Sequence, residues 1–143
     1  MNLYAIDSSV ALKWFLFDDP NESNANQALD LLRGVLTEDY RFVQPPHWIA
    51  EVVSVLARKR PAGALDALAR LLELDCYEVV QTPSSYARAV ALSTTLDHHL
   101  FDTLYHAVAL EEDAQLVTAD RRYFNKAKRL GNIVMLDDVR VDK

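Results

Sequence analysis

Apolar segments too short to be helices alternate along this chain with longer stretches of helical spacing, and that alternation limits what it can fold into. The short segments are residues 3–6, 41–44, 77–81, 115–118 and 132–136. Between them, apolar residues recur about every 3.6 positions over 9–15, 23–36, 47–60, 62–74, 84–96, 101–112 and 120–130. Strands separated by helices do not pair as hairpins; they pair in parallel, with helices on both faces. The order predicts an α/β protein, a three-layer α/β/α sandwich around a parallel sheet of about five strands. Proline punctuates it: Pro20 and Pro45-Pro46 precede helices, Pro61 separates two, and Pro83 stands in a first turn, where a missing N–H costs nothing. Residues 17–24, polar and turn-rich, read as an exposed loop. Without a linker, repeat or low-complexity tract, residues 1–143 read as a single domain.

Composition narrows the class. With 50% hydrophobic residues over 143 positions, the chain is globular and long enough to bury a core without staples. Cys76, the one cysteine, permits neither an internal disulfide nor a thiolate cage. Asp7 and Lys13 interrupt the N-terminal apolar run, so a secretory signal is not expected, and no apolar run is long enough to span a membrane. A cytoplasmic protein fits best. The net charge of −6 argues against a nucleic-acid partner, but its distribution does not. Acidic side chains (Asp7, Asp18, Asp19, Glu22, Asp30, Glu38, Asp39) crowd residues 1–40, whereas Arg121, Arg122, Lys126, Lys128 and Arg129 cluster near the end and Arg58-Lys59-Arg60 closes an internal helix. Such clusters also suit helix C-termini or a solvated face.

In an open α/β sheet, ligands bind outside the carboxyl ends of the strands, where strand order reverses. Asp7 directly follows one predicted strand and Asp120 follows another by one residue, so both face the same edge. Either is also a good helix N-cap. Glu51 lies in a helix with Trp48, Ile49, Val52, Val53, Val55 and Leu56, where a carboxylate needs partners or a cation. Asp102 opens an equally apolar helix, where the helix dipole also favours it. Converging carboxylates repel unless a divalent cation neutralises them, and hard oxygen ligands select Mg²⁺ or Mn²⁺.

AIDSSV with Asp7, PPHWIAEVVSVLARK with Glu51, FDTLYHAVAL with Asp102 and LVTADRRYF with Asp120 resemble, in order and spacing, the four acidic motifs of PIN-domain ribonucleases. Specifically, they resemble those of the small VapC-type toxins of toxin–antitoxin modules, and the resemblance covers essentially the whole chain, with NIVMLDDV as the closing strand. It implies that Asp7, Asp102 and Asp120 hold a catalytic Mg²⁺ or Mn²⁺. It implies that Glu51 completes the acidic pocket and that Ser8 and Thr118 are hydrogen-bonding neighbours of the site. A PIN-like sandwich, a homodimer, an RNA substrate and a VapB-like antitoxin partner follow from the same resemblance.

The expected activity is metal-dependent hydrolysis of RNA phosphodiesters, with Arg121, Arg122 and Lys126 as candidate RNA contacts, Arg58 and Lys59 as further phosphate contacts, and Trp14, Phe15 and Tyr123 as candidate base stackers. Two alternatives differ in class. A haloacid-dehalogenase-type phosphatase needs a second Asp two residues after the first, where this chain has Ser9. A non-catalytic PIN-like module binding RNA or protein would not need all four acids. His98, Asp102 and His106 share a face only if the helix starts before His98, and without cysteines or a His-Glu-x-x-His pattern zinc is not expected; His98, His99 and His106 read as surface or supporting residues.

Overall fold

The computed structural model describes residues 2–140. In chain order the elements are β1 (Leu3–Ile6), α1 (Ser8–Ala11), α2 (Ala25–Leu36), β2 (Arg41–Gln44), α3 (Trp48–Lys59), α4 (Ala64–Glu73), β3 (Tyr77–Val79), α5 (Pro83–Leu96), α6 (Leu100–Glu111), β4 (Gln115–Thr118), α7 (Arg121–Ala127) and β5 (Ile133–Met135). All strands are parallel, in the order β3-β2-β1-β4-β5. The chain steps outward from β1 to β3, then returns to the opposite side of β1 for β4 and β5. Strand order therefore reverses between β1 and β4, opening a crevice at their carboxyl ends.

Local chemistry explains the boundaries. Thr82 and Ser85 form a reciprocal cap at the start of α5, Ser85 N–H donating to Thr82 Oγ1 (3.0 Å) and Thr82 N–H to Ser85 Oγ (3.1 Å), with Pro83 in the first turn. Helix α6 is buried from Thr103 through Ala109, as an inner helix must be, and α5 covers its outer side through Ala89, Leu92, Leu104 and Ala107. The main core gathers β1, β2 and β4 around Ile6, Phe42, Leu116 and Val117, with Trp48, Leu56 and Leu71 from α3 and α4.

Several elements are shorter than their sequence patterns. The first helix ends at Ala11 and passes into a 3-10 turn at Leu12–Trp14. Helix α2 begins at Ala25, because Asn24 takes a left-handed conformation (φ 59°) that no helix continues. Strand β3 stops at Val79 on the sheet edge, and β5 stops at Met135, where Leu136–Asp138 turns into a 3-10 helix. Helix α6 starts at Leu100, one residue earlier than its apolar spacing suggests.

Gln44 shapes the crevice. Where β1 and β2 part, its fully buried side chain takes over the ladder: Ile6 N–H donates to Oε1 (2.6 Å) and Nε2 donates to the Ile6 carbonyl (3.0 Å). The last backbone groups of β1 are thus satisfied although the strands diverge. Replacing Gln44 by Leu orphans both. Urea unfolding of Gln44→Leu should show a loss of roughly 2–4 kcal/mol, since each buried unsatisfied group costs about 1–3 kcal/mol; an unchanged midpoint would contradict this role.

Candidate metal centre

Asp7 and Asp120 stand at the two strand ends that flank the reversal. Asp7 extends the β1–β4 ladder, its N–H donating to the Val117 carbonyl (3.0 Å), and then caps α1: Oδ2 accepts from the Ser9 N–H (3.4 Å) and the Ser9 hydroxyl. Asp120 caps α7, its Oδ1 accepting from the Tyr123 N–H (3.1 Å). Capping is therefore real for both, but it uses one oxygen of each. Thr118 ties them together, its hydroxyl donating to Asp7 Oδ2 (3.3 Å) and accepting from the Asp120 N–H (3.0 Å). Ser9 makes a second tie, accepting from the Ala119 N–H (3.1 Å) while donating to Asp7.

Helix α6 delivers Asp102 to the same place. Asp7, Asp102 and Asp120 line one small cleft with Leu116, Thr118 and Tyr123. Glu51 is set back from that cleft. Its Oε1 accepts from the buried Tyr105 hydroxyl (2.7 Å) and lies 3.4 Å from His47 Nε2. Burial and the nearby Glu51 charge hold the Tyr105 phenol far above its ordinary range, so it remains a neutral donor. Ser8 bonds that phenol, whereas Ser9 is the hydroxyl on Asp7. An Asp with a hydroxyl residue two positions on is a local signal for such a turn, and Ser9 could have been read from it. Nothing in the sequence spacing signals Tyr105 as the partner of Glu51.

The histidines separate in function. The ring of His98 reaches Asp102 although α6 begins only at Leu100; Nε2 lies 3.0 Å from Asp102 Oδ2. Potential ligand atoms of His98, Asp102 and Asp120 all lie within 4.8 Å of one another, a set that the helix-face reading did not provide. His106 is buried and faces elsewhere, its Nδ1 against the Tyr123 hydroxyl (2.8 Å) and Nε2 against the Gly131 carbonyl (2.8 Å). Burial holds its pKa below the ordinary range. His99 is exposed at the start of α6.

The basic residues are also unequal. Arg122 is exposed beside His98, His99 and Leu100 at a surface hollow and forms no ion pair among the described residues. Arg121 is exposed, 3.5 Å from Asp137, with its guanidinium 6.0 Å from the Phe124 ring centre. Lys126 turns inward, onto the Asp97 carbonyl (2.9 Å) and His98 Nδ1 (3.2 Å). Trp14 and Tyr123 are buried, as core aromatics are.

Electrostatics show what the cleft lacks. Burial pushes the Asp7 carboxyl up to about 6; the Ser9 hydroxyl opposes this, and the charges of Asp102 and Glu51 add to it. Burial likewise raises Asp102, with His98 opposing and Glu51 and Asp120 adding. Among the described residues, none of the four acids forms an ion pair with Lys or Arg. Carboxylates gathered in a poorly solvated cleft, two of them raised chiefly by burial and further by neighbouring charge, fit a divalent cation by their donor chemistry.

The chain matches the PIN domain over residues 4–130 and belongs to that family, whose nucleases use divalent metals. No curated protein matches it in sequence. Its fold is similar to a chain of a toxin–antitoxin complex from Klebsiella pneumoniae (TM-score 0.63, 18% identity, covering 95% of this chain and 98% of that one). It is similar as well to VapBC-1 from nontypeable Haemophilus influenzae (0.64, 17%, 95% and 99%). A third similar structure is VapC20 from Mycobacterium tuberculosis, a sarcin-ricin-loop-cleaving toxin (0.62, 16%, 82% and 88%). At these identities the likeness concerns the fold.

Burial of the Asp7 carboxylate, with the neighbouring charges adding to it, has a measurable consequence in metal-free protein. A folded-state pKa above the ordinary 3.8 means that ionised Asp7 destabilises the fold at all pH values above about 6 and that the penalty fades as pH falls towards 4. Its full size is on the order of 3 kcal/mol. Asp7→Asn, measured in EDTA, should therefore be more stable than the wild type by about 1–3 kcal/mol at pH 7.5, with the advantage shrinking by pH 4. A variant equally destabilised at both pH values would contradict this electrostatic account.

Proposed function

We propose that this protein is a Mg²⁺- or Mn²⁺-dependent endoribonuclease and the toxin of a toxin–antitoxin pair. The observation that carries the reading is the meeting of Asp7, Asp102 and Asp120 at the reversal of strand order, Asp7 buried and the other two partly so, with no Lys or Arg counter-charge among the described residues. Asp7, Asp102 and Asp120 would hold the cation, and Glu51, fixed by Tyr105, would complete the negative field behind them. Once bound, a divalent cation supplies Lewis acidity and charge neutralisation to a phosphodiester and to its attacking water. Thr118 and Ser9 keep Asp7 in place and tether the chain around Asp120, so that the site is assembled before substrate arrives. Arg121 and Arg122, the first two residues of α7 after Asp120, would engage flanking phosphates.

The similar toxin–antitoxin structures support an antitoxin partner, and a mainly apolar hollow of about 980 Å³, bordered by Trp14, Phe17, Leu36, Leu56 and Leu71, offers room for a peptide segment. The proposal includes residues 1–143 acting as one domain, a homodimer and a cytoplasmic location. No helix among the described residues is long and apolar enough to cross a membrane. Because VapC20 cleaves the sarcin-ricin loop, structured RNA loops are the first substrates to try. The phosphatase alternative is disfavoured by Ser9, which stands where that chemistry needs an acid and donates its hydroxyl to Asp7.

Purified protein should cleave RNA with Mn²⁺ or Mg²⁺ and stop in excess EDTA. Asp120→Asn should lower the cleavage rate at least 100-fold while the far-ultraviolet spectrum stays unchanged. Cleavage undiminished by EDTA, or full activity in Asp120→Asn, would overturn the proposal. Metal binding without cleavage of any cellular RNA would favour a binding module.

A further inference from the structure

Lys126 touches no acid of the site, yet it settles what His98 can do there. A lysine ammonium has donors and no acceptor. At 3.2 Å from Lys126 Nζ, His98 Nδ1 must therefore be the acceptor, so the ring proton sits on Nε2. That Nε2–H points at Asp102 Oδ2, 3.0 Å away. Both ring nitrogens are thus committed. Ligation of a cation through Nε2 would move the proton to Nδ1 and set an N–H against the ammonium.

The arrangement is built rather than casual. Lys126 is anchored a second time, donating to the Asp97 carbonyl at 2.9 Å. The His98 backbone is clamped from both sides: its N–H donates to the Ser93 carbonyl (3.1 Å) and its carbonyl accepts from the Ser93 hydroxyl (2.5 Å). The ring stands edge-on to Tyr123, 4.8 Å between centroids. Its side chain is only 9% exposed, so water does not readily substitute for either partner.

We infer that Lys126, acting through His98, is a positioning device for Asp102: it makes His98 a donor that fixes one carboxylate oxygen, leaving Oδ1 for the cation, and keeps His98 out of the ligand set. The inference deepens the proposed function and rests on its reading of Asp102 as a metal ligand. It also gives Lys126 a use other than gripping RNA, and it links α7, which carries Asp120 at its cap, to the start of α6, which carries Asp102.

The test uses full-length protein labelled with ¹⁵N-histidine, with Lys126→Met, Lys126→Arg and His98→Gln beside the wild type. Long-range ¹H–¹⁵N spectra of metal-free wild type should show His98 protonated on Nε2. Mn²⁺ electron–nuclear double resonance should show no directly bonded ¹⁵N. Calorimetric Mn²⁺ affinity should fall about 10–100-fold in Lys126→Met, the range typical for loss of an outer hydrogen-bond partner, with partial recovery in Lys126→Arg and in His98→Gln, whose amide can still donate to Asp102. A His98 proton on Nδ1, a directly coupled ¹⁵N, or wild-type affinity in folded Lys126→Met would overturn the positioning role while leaving the metal centre intact. A wild-type protein that binds no Mn²⁺ would overturn the metal centre, and the inference with it. The wild-type spectra decide the tautomer even if Lys126→Met does not fold.

Discussion

Like charge gathered at one edge of the sheet is the constraint on which the rest of this structure depends. Parallel strands that reverse order between β1 and β4 bring Asp7 and Asp120 together whatever their chemistry, and α6 adds Asp102. Burial in the cleft, with neighbouring charge adding to it, raises the pKa values of Asp7 and Asp102, and ionised Asp7 weakens the fold that holds it. The surroundings act to keep the acids in place despite that cost. Thr118 and Ser9 span the two strand ends, Tyr105 holds Glu51, and His98 holds Asp102.

Behind these contacts lies a second layer with its own fixed proton directions. The Gly131 carbonyl can only accept, so His106 must donate from Nε2 and its Nδ1 accepts a hydrogen bond from the Tyr123 hydroxyl. Tyr123 in turn is the residue whose N–H donates to the capping Asp120 carboxylate and whose ring supports His98. Rigid supports of this kind suit a site whose geometry must hold within a fraction of an ångström. They also explain why a histidine in the core is not a stray ligand.

Much of this architecture was legible in the sequence, because period and strand-end position are local properties. The alternation of short apolar runs and helical spacing requires a parallel sheet, and a parallel sheet puts residues 7 and 120 on one edge. What local pattern could not carry was contact between distant residues. Tyr105 meets Glu51 across 54 positions, Gln44 closes the ladder on Ile6 across 38, and Lys126 meets His98 across 28. A shared helix face for His98 and Asp102 requires a helix beginning before His98, and α6 begins after it; the ring reaches Asp102 from the turn instead, in a supporting place. Lys126, grouped by charge with Arg121 and Arg122, belongs by contact with the site's support.

The central claim is that these carboxylates form a cation site, and crystals grown with Mn²⁺ test it most directly through the metal's anomalous scattering. The account predicts one strong peak in the cleft, within bonding distance of Asp7, Asp102 and Asp120, with His98 beside it but unbonded. A cleft without a peak at saturating Mn²⁺, or ions bound only elsewhere on the surface, would contradict it.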